Sequence, residues 1–251
     1  MIKILAIGNS FSENATHYVH QIAEASGVDT KVVNLYIGGC SLAQHWENIQ
    51  NNRRDYRFEQ NGFYEDNAPL VAINETIIND DWNHIVIQQS SDLSGIESSY
   101  EPYVGNILRY LTEKAPQAQI WLHQTWAYEI DSLHPAFTNY GNNQKLMYQK
   151  LTTCYQNIAE KYLLPLITSG SAIQTLRLTA PFNYDAGGLS LCAEDGYHLT
   201  IIYGRYAASL VWAKTLLDID PKAVAYLPES RFAPNFLVSP QYLNVIKNTV
   251  S

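Results

Sequence analysis

The chain has 251 residues, long enough for one sizeable α/β domain and cramped for two. Charged residues make up only 16% against 46% hydrophobic, and the formal net charge is −8 at pH 7; an acidic balance argues against nucleic acid or an anionic membrane as the main partner. No apolar run approaches the roughly 20 residues of a membrane span, and Cys40, Cys154 and Cys192 lack the spacing of a disulfide framework or a zinc ribbon.

From the amino terminus, Met1 runs directly into a strand-like stretch with no signal peptide in view. A cytoplasmic protein is expected if Met1 is the native start, and a secreted or periplasmic one if a leader precedes it. Short apolar runs at 3–8, 30–36, 84–88, 119–124 and 164–168 read as strands buried on both faces. Helical stretches at 15–26, 101–115, 142–162 and 200–217 alternate with them. Within 142–162, Leu146, Gln149, Leu151, Tyr155 and Ile158 form one stripe at helical spacing. Residues 53–65 carry Asn61-Gly62 between aromatic-rich arms, which predicts a β-hairpin insertion near the rim of a site. From about 219, Pro221, Pro228, Pro234 and Pro240 suggest a wrapping tail. The whole predicts a single domain over 1–251, a three-layer α/β/α sandwich around a doubly wound, flavodoxin-like parallel sheet of five strands. Ligands bind such sheets at the carboxyl ends of the strands.

The loops at those ends hold the chemistry-bearing residues. The first reads Gly8-Asn9-Ser10-Phe11-Ser12. A serine between a strand and a helix exposes its hydroxyl over the sheet edge, although Ser10 or Ser12 could equally cap the helix. The second, Gly38-Gly39-Cys40, lets backbone approach a ligand and present an N–H; Cys40 reads as filling space beside it. At the third, Gln88 or Gln89 could turn an amide toward developing negative charge. Asp195 and His198 stand three apart at a turn, a spacing that lets the carboxylate hold the imidazole Nδ1–H and free Nε2 as a base. His17 and His20 sit i, i+3 with no further ligand to complete a zinc site, and the first loop lacks GxGxxG. No metal or organic cofactor is therefore expected.

Taken together and in order, these blocks resemble the SGNH/GDSL hydrolases. More narrowly, the chain is similar to an SGNH-type domain family common in bacteria. The shared blocks are Gly8-Asn9-Ser10-Phe11-Ser12, Gly39-Cys40-Ser41-Leu42 with His45, Trp82 to Ser90, Thr125-Trp126-Ala127-Tyr128 and Asp195-Gly196-Tyr197-His198-Leu199, reaching across most of the chain to residue 217. The resemblance implies a serine esterase with Ser10 as nucleophile, His198 as base and Asp195 as its orienter. It implies an oxyanion hole from the N–H groups of Ser10 and Gly39 and the side chain of Gln89, with Gln88 and Gly38 as alternatives. Two departures stand out: Asn9 replaces the aspartate of many GDSL enzymes, and glutamine replaces their later asparagine. His45, Trp126 and Arg177 are candidates to contact substrate, expected to be a small-molecule or carbohydrate ester with a short, acetyl-like acyl group. The alternative is a carbohydrate-binding module without catalysis, which an intact Ser10, Asp195 and His198 argue against.

Overall fold

The computed structural model describes residues 1–229 and 237–251. Six strands form one sheet: β1 (Ile2–Gly8), β2 (Thr30–Tyr36), β3 (Arg57–Gln60), β4 (His84–Ile87), β5 (Gln119–His123) and β6 (Leu166–Ile167). Their order is β3-β2-β1-β4-β5-β6, parallel throughout except for β3. The five parallel strands thus follow the flavodoxin-like order, and the switch point lies between β1 and β4. Ile4, Leu5, Ala6 and Ile7 of β1 are buried in succession, because helices cover both faces of a parallel sheet.

The sheet has six strands where the apolar runs predict five. The extra one comes from the segment that reads as a hairpin. Its Asn61-Gly62 turn forms, with φ of 56° and 83°, both in the left-handed region that a tight two-residue turn requires. The second arm, however, returns to the first only through a Gln60–Phe63 bridge. The first arm instead pairs antiparallel with β2, Val33 opposite Gln60 through Tyr36 opposite Arg57, and closes the sheet edge. A backbone with unmet N–H and C=O groups is satisfied wherever an open edge offers partners.

The helices are α1 (Ser10–Thr16), α2 (Val19–Ala25), α3 (Leu42–Gln50), α4 (Ile73–Ile78), α5 (Tyr103–Lys114), α6 (Gln144–Tyr162), α7 (Ser169–Leu176), α8 (Tyr203–Leu217) and α9 (Pro240–Val250). The stretch read as one helix over 15–26 is two, and the first starts at Ser10. In α6 the buried stripe runs through Met147, Leu151, Cys154, Tyr155 and Ile158, while Leu146 is exposed. Helix α8 is buried on nearly every side and packs against α1, α2, α7 and α9; α3 packs against α5 and α4. Beyond 219, α9 buries Leu243, Ile246 and Val250, and the part of the tail that includes Pro234 lies outside the described residues. Among the described residues no helix is long and apolar enough to cross a membrane, and no three His, Cys, Asp or Glu side chains gather as a metal-holding group.

Candidate functional site

Ser10 begins α1 directly after β1, so its N–H has no partner inside the helix. The turn is held by Asn9, whose Oδ1 accepts the N–H of Phe11 at 3.0 Å and whose Nδ2 donates to the Cys40 carbonyl at 3.0 Å. Asn9 is therefore the helix cap and a strut between the first two loops. Ser12 is buried and does no capping; its hydroxyl lies 2.8 Å from the Asn9 carbonyl and 2.6 Å from Asn34 Oδ1. Behind it, Asn34 Nδ2 donates to Glu59 at 2.6 Å, and Arg57 bridges Glu59 and Glu13. Burial, reinforced by Glu13, pushes the Glu59 carboxyl up to about 6 against the opposing contacts of Asn34 and Arg57. Ser10 Oγ has no hydrogen-bond partner among the described residues.

Gly38 and Gly39 occupy a turn closed by the Cys40 N–H on the Ile37 carbonyl at 3.2 Å. Gly39 takes a φ of 65° with nothing near its missing side chain, whereas a Cβ on Gly38 would meet the Tyr36 hydroxyl. Both glycines are exposed. Cys40 is fully buried, and burial pushes its thiol up to about 12, which leaves it without thiolate character near neutral pH.

The Asp195–His198 turn closes as its spacing implies. Asp195 Oδ1 accepts the N–H groups of Tyr197 and His198 at 3.0 Å each, and Oδ2 lies 2.7 Å from His198 Nδ1. Partial burial would raise the Asp195 pKa, but those two N–H donors and the imidazole outweigh it and hold the carboxyl below its usual range. The turn is tied to α1: the Leu199 N–H donates to Asn14 Oδ1 at 2.7 Å, and the His198 ring lies 6.3 Å from that of Phe11. Asn9 and Asn14 thus tie the Gly38–Cys40 loop and the Asp195–His198 turn to the start of α1, which follows the carboxyl end of β1.

The other expected contacts go elsewhere. Gln89 is fully buried; its Nε2 donates to Ser99 O and Oγ at 3.0 Å each, and its Oε1 accepts from Leu42 and Ser90. Both of its amide hydrogens are consumed, so it braces the start of α3 and offers nothing to an oxyanion. Gln88 is buried as well, turned toward Asn9 and His123. His45 is buried with its Nδ1 2.8 Å from the Tyr56 hydroxyl, and burial holds its imidazole down at about 3. Trp126 is fully buried, stacked on Phe11 at 4.4 Å and donating to the Tyr197 carbonyl at 2.8 Å; it lies under the site floor. Arg177 is buried too, donating to the Ala127 carbonyl at 3.0 Å and to Cys192 Sγ at 3.2 Å, with Glu129 3.4 Å from its Nε. All three side chains are buried and engaged by internal partners.

One rim residue escaped sequence reasoning. His134 is half-buried beside Tyr197, ring centroids 4.8 Å apart, and beside Tyr128 at 4.7 Å. Its Nδ1 accepts the Ala136 N–H at 3.2 Å, which puts the proton of the neutral ring on Nε2. No motif announces it, since it arrives from a long loop after β5.

A family model described as Domain of unknown function (DUF4886) matches residues 3–238. The crystal structure of a DUF4886 family protein from Bacteroides uniformis is similar over 99% of this chain and 93% of that one, with 32% identity and a TM-score of 0.88. A putative SGNH hydrolase from Slackia heliotrinireducens is similar over 86% of this chain and 98% of its own, at 22% identity and a TM-score of 0.58. An acetyl xylan esterase, AlAXEase, is similar over 85% and 100% respectively, at 13% identity and a TM-score of 0.58. No curated protein matches at the sequence level. The last two structures share the three-layer fold, and the first shares the family. The chain belongs to the DUF4886 family and carries the fold of the SGNH hydrolases.

Proposed function

We propose that this protein is a serine esterase in which Ser10 is the nucleophile, His198 the general base and Asp195 the group that orients it. The observation that carries the reading is the 2.7 Å Asp195–His198 pair on a turn tied to the helix that Ser10 begins. With Nδ1–H engaged by the carboxylate, Nε2 is the basic nitrogen. Ser10 Oγ attacks the ester carbonyl carbon as its proton passes to His198 Nε2. The carbonyl oxygen becomes an oxyanion facing the N–H groups of Ser10 and Gly39, each such donor being worth on the order of 3 kcal/mol. Collapse breaks the bond to the alcohol, which leaves with the proton from His198. Water then attacks the acyl-enzyme, gives its proton to His198 and releases the acid and free Ser10.

The substrate class we propose is a short acyl ester, acetate foremost, on a carbohydrate or other small alcohol. It is supported by analogy with the acetyl xylan esterase of the same fold. Fluorophosphonate labelling with peptide mapping, run beside hydrolysis of p-nitrophenyl acetate, tests the mechanism. Labelling on Ser10 that disappears in His198→Ala, with esterase activity lost in Ser10→Ala, is the expected result. An unlabelled wild type would favour a binding module, and a Ser10→Ala variant as active as wild type would overturn the reading of Ser10 as the nucleophile.

A further inference from the structure

A single buried hydrogen-bond chain crosses the carboxyl ends of all five parallel strands. Ser169, the first residue of α7 after β6, places Oγ 3.0 Å from His123 Nε2 at the end of β5. His123 Nδ1 lies 2.5 Å from Oε1 of Gln88, which follows β4. Gln88 Nε2 lies 2.8 Å from Oδ1 of Asn9, which follows β1, and Asn9 Nδ2 reaches the carbonyl of Cys40 in the loop after β2. The sheet order is β2-β1-β4-β5-β6, so each link joins neighbours. Ser169, His123, Gln88 and Asn9 are each 2% exposed or less.

The direction of every bond is dictated by the backbone at one end. The N–H of Phe11 can only donate and the Cys40 carbonyl can only accept, so Asn9 must turn Oδ1 to the first and Nδ2 to the second. Gln88 then faces an oxygen already accepting, and must present its amide nitrogen there and its oxygen to His123. That oxygen cannot donate, so His123 carries its proton on Nδ1. A second ring proton would be a buried charge with no carboxylate among the described residues to pair it, and burial holds this imidazole down at about 3. Nε2 is thus an acceptor, and Ser169 donates to it. Trp212 and Trp126 meet the ring edge-on at 5.0 and 6.3 Å and leave it little room to turn.

We propose that His123, in this Nδ1–H tautomer, is a positioning residue: through Gln88 it sets Asn9, and through Asn9 it holds the Ser10 turn and the Gly39 turn in register. The Asn9 side chain hydrogen-bonds to both turns, to Phe11 on one side and Cys40 on the other. A fully satisfied buried chain specifies a unique arrangement because any flipped member leaves two like groups facing each other. His123 touches none of the reacting atoms. The proposal rests on the esterase reading above and explains where the two strand-end glutamines divide: Gln89 braces α3, and Gln88 transmits orientation to the nucleophile loop.

The test combines a tautomer measurement on the wild-type protein with two substitutions. Nitrogen-15 histidine NMR is expected to show one histidine with pyrrole-type Nδ1 and pyridine-type Nε2 that is lost in His123→Asn and does not titrate between pH 5 and 8. His123→Asn places an amide N–H near the former Nδ1, whereas His123→Gln places its amide near the former Nε2 and leaves Gln88 Oε1 without a donor. With p-nitrophenyl acetate and fluorophosphonate as probes, His123→Gln is expected to lower kcat and the labelling rate at Ser10 by about 10- to 100-fold with KM nearly unchanged. His123→Asn is expected to retain most of both. A role in stability alone predicts similar thermal losses in the two variants with kcat intact, and that result would overturn the proposal. So would an Nε2–H tautomer in the wild type, which needs no variant to fold. An unlabelled wild-type Ser10 would overturn the esterase reading and this proposal with it.

Discussion

Truncating Arg177 to alanine separates a structural role from a substrate contact. The side chains of Arg177 and Glu129 are 4% and 3% exposed, with Nε 3.4 Å from Oε2. Removing the guanidinium deprives the Ala127 carbonyl of its donor and leaves the Glu129 carboxylate buried without a cation. Glu129 would keep only neutral donors: Gln144 Nε2 at 2.7 Å, Ser190 Oγ at 2.9 Å and the Ile130 N–H at 3.1 Å. Breaking a buried pair from one side costs about 3–5 kcal/mol. For a chain of this size that is a fall in Tm of roughly 6–20 °C. Replacing both partners, as in Arg177→Met with Glu129→Gln, removes the stranded charge and is expected to recover much of the loss, so the pair should couple strongly in a double-mutant cycle. Urea titration at pH 7 and thermal melts measure both. The reasoning fails if Arg177→Ala melts within 2 °C (about 1 kcal/mol) of wild type and instead raises KM.

Three further outcomes follow from the same geometry. In Asp195→Asn the oxygen can still take the N–H groups of Tyr197 and His198, but the amide nitrogen meets His198 Nδ1 and drives the ring proton to Nε2; kcat on p-nitrophenyl acetate should fall by about 10²- to 10⁴-fold with little change in Tm, and a fully active variant would contradict the assignment. A methyl group on Gly8 would collide with the side chain of Ser12, so Gly8→Ala should cost about 1–3 kcal/mol and slow fluorophosphonate labelling, both absent if the turn simply tolerates it. The Glu59 carboxyl, raised from 4.5 to about 6 in the fold, binds its proton more tightly folded than unfolded. Its contribution is therefore present below pH 4.5 and lost as pH rises through 6, a change of about 2 kcal/mol. The stability of Glu59→Gln relative to wild type should rise by that amount across the interval, and a flat or falling difference in paired urea titrations would refute the shift.

Local chemistry accounts for the parts of this protein that its sequence makes plain. Five of the six strands lie in largely apolar runs bounded by turn residues, and β2 falls on 30–36 as read, because a strand buried on both faces is apolar over most of its length. The Asp195–His198 contact was legible too, since it closes within one turn of chain and depends on nothing distant. The limits of α1 and α2 were harder: Ser10-Phe11-Ser12 reads equally as loop or helix until Asn9 is seen to cap it. Short helices such as α3 and α4 carry too few apolar repeats to register as periodic.

What the sequence could not decide were the choices that long-range partners make. Asn61-Gly62 determined a turn, yet the edge of β2 decided that its first arm joins the sheet. Adjacent glutamines at a strand end differ only in the side they face, and Ser99 claims Gln89 while Asn9 claims Gln88. Trp126, His45 and Arg177 carry residue types that suit a ligand pocket, and only packing reveals that each is turned inward. The sequence by itself determined the layered α/β architecture and the Asp195–His198 pair, because these rest on periodicity and near-neighbour geometry. The tertiary structure alone decided which polar groups are spent on one another and which remain free, because a hydrogen bond between residues as far apart as Ser169 and His123 exists only once the strands that carry them lie side by side.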